Sequence, residues 1–338
     1  MRPAAHKPIE RLAVVGAGAW GTALATVGQR AGRTVSLWAH EPEIAAMTVA
    51  KRENVVYLPG VEIDPAISVT NDLARAVTDV EAILLAVPAQ HLRAVVREIA
   101  AASSTAAPIV ICAKGIERGT LKLMSDVVGE CLPEAKLAVL SGPTFAAEVA
   151  RGLPTAVTLA SGDSQLGARL VAAIGTATFR PYLGDDPIGA QVGGAVKNVI
   201  AIACGIVEGR GLGENAGAAL MTRGLAEIMR LGGALGAKRE TLMGLSGLGD
   251  LSLTCNSDQS RNMSLGIALG RGWPLEQAVA AKRSIAEGVA SAESVSDLAA
   301  KLGVDMPIVN SVDGILHHFA DLDATIAALL ARPFKAER

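Results

Sequence analysis

The N-terminal half of the chain alternates short β-branched runs with longer stretches of helical spacing. The runs Leu12–Val15, Thr34–Ala39, Ile67–Thr70, Ala82–Val87, Ile109–Ala113, Leu137–Leu140, Thr155–Leu159 and Thr178–Tyr182 read as strands. Between them, Trp20–Ala31, Pro42–Ala50, Gln90–Ala101, Leu121–Glu130 and Ser164–Ile174 read as helices. Segments such as Ile83-Leu84-Leu85-Ala86-Val87 are apolar on both faces, as a strand must be when helices cover both sides of a parallel sheet. This alternation predicts a doubly wound α/β lobe.

The rhythm changes near Asp185-Asp186-Pro187. From Ile188 onward no strand pattern stands out, and Ile188–Val207, Ala216–Leu235, Arg261–Gly270, Leu275–Ala280, Ala292–Leu302 and Ile308–Phe319 read as helices. Leu220, Leu225, Ile228 and Met229 fit one buried helical face better than they fit alternation. Two domains are therefore expected, a dinucleotide-binding lobe over 1–187 and an all-helical lobe over 188–338. A helix of about 20 residues from Ile188 would be about 30 Å long, enough to cross a domain interface.

The first strand runs into Gly16-Ala17-Gly18-Ala19-Trp20-Gly21, a G-x-G-x-x-G turn between strand and helix. Gly16 permits a tight turn, Gly18 lets a pyrophosphate approach the backbone, and Gly21 lets the helix pack on the strand. The phosphates would meet the free N–H groups at the helix start. About 20 residues on, the second strand should deliver the residue that reads the ribose. There the chain carries His40 and Glu41 side by side. An acid favours the bare 2′-hydroxyl of NAD and a cation the 2′-phosphate of NADP, so the choice between NAD(H) and NADP(H) stays open.

Composition narrows the class. Of 338 residues half are apolar and only 19% are charged, which excludes disorder. The net charge is −2 and no basic stripe stands out, so no nucleic-acid partner is expected. Met1 to Glu10 lacks an apolar h-region, and no run of 18 apolar residues occurs, so neither secretion nor membrane insertion is expected. Cys112, Cys131, Cys204 and Cys255 are widely spaced and fit reduced, mostly buried thiols in a cytoplasmic protein. The five histidines have no ligand spacing with cysteines or acids, so no metal is expected.

An anionic substrate would need local cations, and three places offer them. Lys114 follows the strand Ile109–Ala113, at the strand end where open sheets bind ligands. Lys197 lies four residues after Gly193, on the same face of the long helix. Two successive glycines at Gly193-Gly194 cost a helix stability. A cofactor or substrate pressing on the backbone beside Lys197 would explain them, and so would close helix packing. The third place is an expected loop, Gly244–Asp250, followed by Ser260-Arg261-Asn262. Ser260 can cap a helix there, and the N–H groups, the Arg261 guanidinium and the Asn262 amide together suit a phosphate.

Taken together these blocks resemble the NAD(P)-dependent glycerol-3-phosphate dehydrogenase family in its bacterial form. The segments carrying the resemblance are Gly16–Ala25, Ala113–Glu117, Ser141–Glu148, Gly193–Ile200, Thr222–Glu227, Gly247–Asp250 and Ser260–Asn262. The resemblance implies a Rossmann lobe with a 6-phosphogluconate-dehydrogenase-like helical lobe. It implies interconversion of glycerol 3-phosphate and dihydroxyacetone phosphate, supply of glycerol 3-phosphate for phospholipid synthesis, and a homodimer. By the same resemblance Lys197 matches the proton-transfer lysine. Lys114, Gly142, Thr144, Asp250, Ser260, Arg261 and Asn262 match substrate-binding positions. Ala19, Trp20, His40, Tyr57, Lys114, Ala146, Arg261, Ile285 and Glu287 match cofactor contacts. Glu41 departs from a frequent second basic residue, Ala286 from a frequent Val, and Ala19 from a frequent Ser.

In the expected chemistry Lys197, Lys114 and Asp250 form the catalytic group. A neutral Lys197 can take the hydroxyl proton, and its ammonium can return it. Burial and the charge of Lys114 would both lower its pKa, and Asp250 would oppose that. Two alternatives remain at this level. One is a related dehydrogenase acting on a β-hydroxy acid, and the other is a non-catalytic NADH-sensing protein.

Overall fold

A computed structural model of the chain describes residues 8–102, 107–280 and 287–333. The strands of the N-terminal lobe are β1 (Arg11–Val15), β2 (Thr34–Trp38), β3 (Glu53–Asn54), β4 (Leu58–Glu62), β5 (Ser68–Thr70), β6 (Ala82–Leu85), β7 (Ile109–Ile111), β8 (Leu137–Ser141), β9 (Thr155–Ala160) and β10 (Phe179–Gly184). Its helices are α1 (Ala19–Arg30), α2 (Pro42–Lys51), α3 (Leu73–Val77), α4 (Leu92–Ala102), α5 (Met124–Cys131), α6 (Ala146–Ala150) and α7 (Ser164–Ile174). Eight strands form one sheet in the order β10-β9-β8-β7-β6-β1-β2-β5.

Period-two alternation builds the two cores of this lobe. Val14 and Leu84 enter one apolar cluster, while their neighbours Val15 and Leu85 enter the cluster on the opposite face. All four are at most 1% exposed. That is the double covering which the unbroken apolar runs predict. The chain order reverses between β1 and β6, so the carboxyl ends of these strands flank the crevice where open α/β sheets hold ligands.

The sheet is not wholly parallel, which corrects the sequence expectation. β8 and β9 are antiparallel, with Val139 opposite Ala160 and Ser141 opposite Thr158. The connection from Ser141 to Thr155 carries only the short helix α6 and reverses the chain without a crossover. The β3–β4 hairpin was also unexpected; β3 is two residues long, and β4 contains Pro59 and Gly60, which disguise it.

The helical lobe follows at once. It contains α8 (Pro187–Gly209), α9 (Glu214–Ala234), α10 (Arg239–Leu242), α11 (Asp250–Cys255), α12 (Arg261–Gly270), α13 (Leu275–Ala280), α14 (Glu287–Leu302), α15 (Pro307–His317) and α16 (Leu322–Leu330). Asp186 starts α8 by accepting from the Gly189 N–H at 2.8 Å, and its other oxygen accepts from the Lys238 N–H at 2.8 Å. α8 has the length and apolarity of a membrane span, but 94% of its apolar window is buried in protein. It is the central helix of the lobe. Gly205 and Gly209 of α8 face Gly266 and Gly270 of α12, and a Cβ on any of the four would meet the carbonyl of the other helix. The two backbones therefore touch along a glycine seam. α11 and α16 were not expected from the sequence, and α14 begins five residues before the expected Ala292.

Candidate active site

The glycine turn meets the geometric demands of a dinucleotide site. Gly16 has φ 110°, and a Cβ there would lie 2.8 Å from the Ala86 carbonyl. A Cβ on Gly21 would collide with the Gly16 carbonyl, so α1 packs directly on the turn. Gly18 is different. Nothing lies within 4 Å of its Cβ position, so the space beside it is open. No side chain caps the start of α1 at Gly18. An open approach to an uncapped helix start suits the pyrophosphate of NAD(P). The indole Nε1 of Trp20 is buried beside this turn with no hydrogen-bond partner.

Asn54 supports the turn, a role the sequence did not suggest. Its Nδ2 donates to the Ala17 carbonyl at 2.8 Å and to Thr22 Oγ1 at 2.9 Å. Its Oδ1 accepts from the Tyr57 N–H at 3.1 Å. At the end of β2, Trp38 and His40 meet edge to face, and Glu41 accepts from the Tyr57 hydroxyl at 3.2 Å. Burial and the neighbouring Glu41 charge hold the Tyr57 phenol above its usual pKa. Glu41 and Tyr57 are thus joined just beyond the end of β2, where His40 also lies.

The strand β7 ends three residues before Lys114, whose ammonium reaches into the helical lobe. It donates to Asp250 Oδ2 at 2.7 Å and to the Gly142 carbonyl at 3.3 Å. Lys197 takes the other oxygen of the same carboxylate, Oδ1, at 2.5 Å, and donates to Thr254 Oγ1 at 2.9 Å. Asp250 is fully buried, and the side chains of Lys197 and Lys114 are 8% and 14% exposed. Two cations on one carboxylate leave a net positive charge in a poorly solvated place. Burial pushes the Lys197 ammonium down to about 8; Asp250 and Glu287 oppose this, and Lys114 adds to it.

Thr254 was missed because the sequence reading made Gly244–Asp250 a loop. The segment Leu245–Gly249 is instead a π-helical turn that runs directly into α11. Once 250–255 is helical, Asp250 and Thr254 lie one turn apart on one face and both meet Lys197. A Cβ on Gly247 would collide with the Leu242 carbonyl, so compactness, not looping, explains this glycine.

Gly193 and Gly194 answer the sequence puzzle in another way than ligand pressure. A Cβ on Gly193 would strike the Ser246 carbonyl of the π turn. A Cβ on Gly194 would lie 3.2 Å from Lys114 Cγ and 3.1 Å from Ser141 Oγ. One glycine seats the segment that carries Asp250, and the other makes room for the Lys114 stem. Ser141 Oγ is buried without a hydrogen-bond partner.

The remaining predicted residues lie between β8 and α6 and at the start of α12. Gly142 has φ 150°, and Thr144 Oγ1 donates to its carbonyl at 3.3 Å. Ala146 begins α6. Ser260 caps α12 through the Met263 N–H at 3.2 Å, and Arg261 is exposed at the first helical position. Asn262 is buried, and its Oδ1 accepts from the Gly288 N–H at 3.0 Å, which docks the start of α14 and Glu287 next to α12. Ile285 and Ala286 lie outside the described residues. Among the described residues no group of three His, Cys, Asp or Glu side chains could hold a metal. All four cysteines are unpaired.

A dinucleotide turn in a Rossmann lobe, together with a buried lysine of lowered pKa on a helical lobe that Lys114 of the sheet lobe reaches through Asp250, defines a nicotinamide-dependent oxidoreductase of two-lobe build. The family model for the N-terminus of NAD-dependent glycerol-3-phosphate dehydrogenase matches residues 11–167, and that for the C-terminus matches residues 186–327. The chain belongs to this family. It is 57% identical to a glycerol-3-phosphate dehydrogenase [NAD(P)+] of Rhodospirillum rubrum, over 97% of this chain and 94% of the relative. It is 58% identical to one of Caulobacter vibrioides, over 97% of this chain and 99% of the relative. The crystal structure of glycerol-3-phosphate dehydrogenase from Coxiella burnetii superposes with TM-score 0.93 at 40% identity, covering 96% of this chain and 99% of that one. The enzyme class and the NAD(P) cofactor follow from that membership.

Proposed function

We propose that this chain interconverts sn-glycerol 3-phosphate and dihydroxyacetone phosphate, with Lys197 as the proton-transfer group. The observation that carries this reading is the pair Lys114 and Lys197 on the single buried carboxylate of Asp250. In this reading residues 1–187 hold the cofactor and 188–338 complete the substrate site.

When bound, NAD(P) supplies the hydride acceptor and its reduced form the donor. Gly16, Gly18, Ala19, Trp20 and Gly21 would hold the pyrophosphate, and His40, Glu41 and Tyr57 the ribose end. Ala146, Arg261 and Glu287 would line the rest of the cleft. In the oxidative direction the C2 hydroxyl proton passes to neutral Lys197 Nζ as the C2 hydride leaves. In the reductive direction the Lys197 ammonium returns that proton to the forming alkoxide. Lys114 adds a second positive charge beside the developing oxyanion. Asp250 fixes both nitrogens, and Thr254 orients Lys197. The start of α12 at Ser260-Arg261-Asn262, where the Arg261 guanidinium is exposed, would take the phosphate together with Gly142 and Thr144.

A spectrophotometric assay of NADH and NADPH oxidation tests the reading. Turnover with dihydroxyacetone phosphate and none with β-keto acids is expected; the reverse preference would overturn it. The proposal extends to supply of glycerol 3-phosphate for phospholipid synthesis by a cytoplasmic homodimer. It is supported by the family resemblance and is checked by sedimentation and by glycerol auxotrophy of a deletion strain.

A further inference from the structure

The segment between β7 and α5 spans both lobes. Ile116 and Leu123 pair across an isolated bridge and are 0% and 6% exposed within the apolar cluster of the helical lobe. The same segment is gripped from the other side by α4 and the turn before it. Gln90 Nε2 donates to the Ile116 carbonyl at 2.9 Å, and Gln90 Oε1 accepts from the Arg118 N–H at 3.0 Å. Arg93 forks onto Glu117, with Nε and one terminal nitrogen each 2.8 Å from a carboxylate oxygen. Thr120 Oγ1 donates to Glu117 at 2.5 Å. Glu117 is only 9% exposed. Arg118 then pairs with Glu293 of α14 at 2.8 Å.

Only Gly115 separates this clasp from Lys114. Its φ is 151°, and a Cβ there would lie 2.7 Å from Ala89 Cβ, so the backbone is pressed against the turn that carries Gln90. A rigid grip at 116–118 therefore fixes the direction in which Lys114 leaves the sheet. We propose that the Arg93–Glu117 fork is a positioning pair, which holds Lys114 at Asp250 and so sets the charge environment of Lys197. The inference rests on the lysine-pair reading above. The charged groups facing Glu117 are Arg93 and Lys122, with Glu130 on the far side of Arg93. Those facing Lys197 are Asp250, Lys114 and Glu287, with the Cys255 thiol of α11 also nearby.

The sign follows from these charges. Lys114 lowers the Lys197 pKa, and it competes for Asp250, which raises it. A displaced Lys114 therefore raises the Lys197 pKa. In Glu117→Gln, the limb of the pH profile in which oxidation rises with pH should move to higher pH. kcat should fall about tenfold, as small misplacements do. KM for NAD should change less than kcat, because the glycine turn is untouched. Arg93→Met should do the same while leaving Glu117 intact, and Arg93→Lys should recover part of the loss by keeping the charge.

Lys114→Met is the reference. It must move the limb upward; if it does not, the lysine-pair reading fails and this inference with it. If Lys114→Met moves the limb while folded Glu117→Gln and Arg93→Met leave it in place, the positioning role alone is overturned. Loss of fold in both fork variants would assign the pair a purely structural role and overturn it equally. A shift in either folded variant supports it.

Discussion

Gly194 gives Lys114 its place: a Cβ at 194 would stand 3.2 Å from Cγ of that lysine. The helix α8 thus offers a notch for a side chain arriving from the sheet. Its neighbour Gly193 meets backbone instead, at the Ser246 carbonyl. The two substitutions to alanine should part company. Gly194→Ala gains about 1 kcal/mol of helix propensity and crowds Lys114, so kcat should fall with Tm nearly unchanged. Gly193→Ala drives a methyl into backbone and should cost about 1–3 kcal/mol in stability. Thermal unfolding and steady-state kinetics on both variants decide; equal Tm losses would sink the distinction.

Lys197→Ala should reduce kcat at least about a hundredfold, the usual scale for a lost acid–base group. The pH dependence has a definite sign. Lys197 is protonated below about pH 8, so oxidation of glycerol 3-phosphate should rise through that pH and reduction should decline. Profiles recorded in both directions check this, and parallel profiles would contradict it.

Gly18→Val should leave the fold intact, because no atom lies within 4 Å of its Cβ position. It should weaken NADH binding about tenfold or more, since the side chain fills the space the pyrophosphate needs. Fluorescence titration against the wild-type chain, with Tm measured without cofactor, reads both halves.

Arg261→Ala should raise KM for dihydroxyacetone phosphate about tenfold to a hundredfold, the scale of a charge-assisted hydrogen bond. An unchanged KM would move the phosphate away from the start of α12.

Glu227 is 1% exposed and spends both oxygens on the start of α15, accepting from Ile308 N at 2.7 Å and Val309 N at 3.1 Å. Burial raises its pKa to about 7 against the pull of those N–H groups. Glu227→Gln keeps one acceptor and turns an amide N–H₂ toward the other N–H. A loss of about 1–3 kcal/mol in chemical denaturation is expected; a neutral result would mean that water replaces the second bond.

The central strands were legible because both faces of the sheet are covered there, so runs such as Leu12–Val15 and Ala82–Val87 are continuously apolar, while edge runs such as Thr178–Tyr182 were marked by their β-branched and aromatic residues. The direction of β9 and β10 was not legible, because the run Thr155–Leu159 looks the same whichever way it points. α3 and α6, five residues each, were too short to show a period. The site was readable in part. Gly16 to Gly21 carry a local mechanism in their spacing. The meeting of Lys114, Lys197 and Asp250 does not, because 136 and 53 residues separate the partners. Only the resemblance suggested it. Thr254 and Asn54 act through contacts that arise after folding, and nothing in their immediate sequence marks them.

Along the seam of Gly205, Gly209, Gly266 and Gly270, two main chains touch without intervening side chains. Backbones in such direct contact resist sliding past one another. The amine of residue 197 and the α12 start at residue 261 therefore behave as the fixed jaws of one gauge, whatever rocking the two lobes undergo. In the proposed reading, with the phosphate at one jaw and the reacting carbon at the other, that fixed spacing would itself select the length of the substrate.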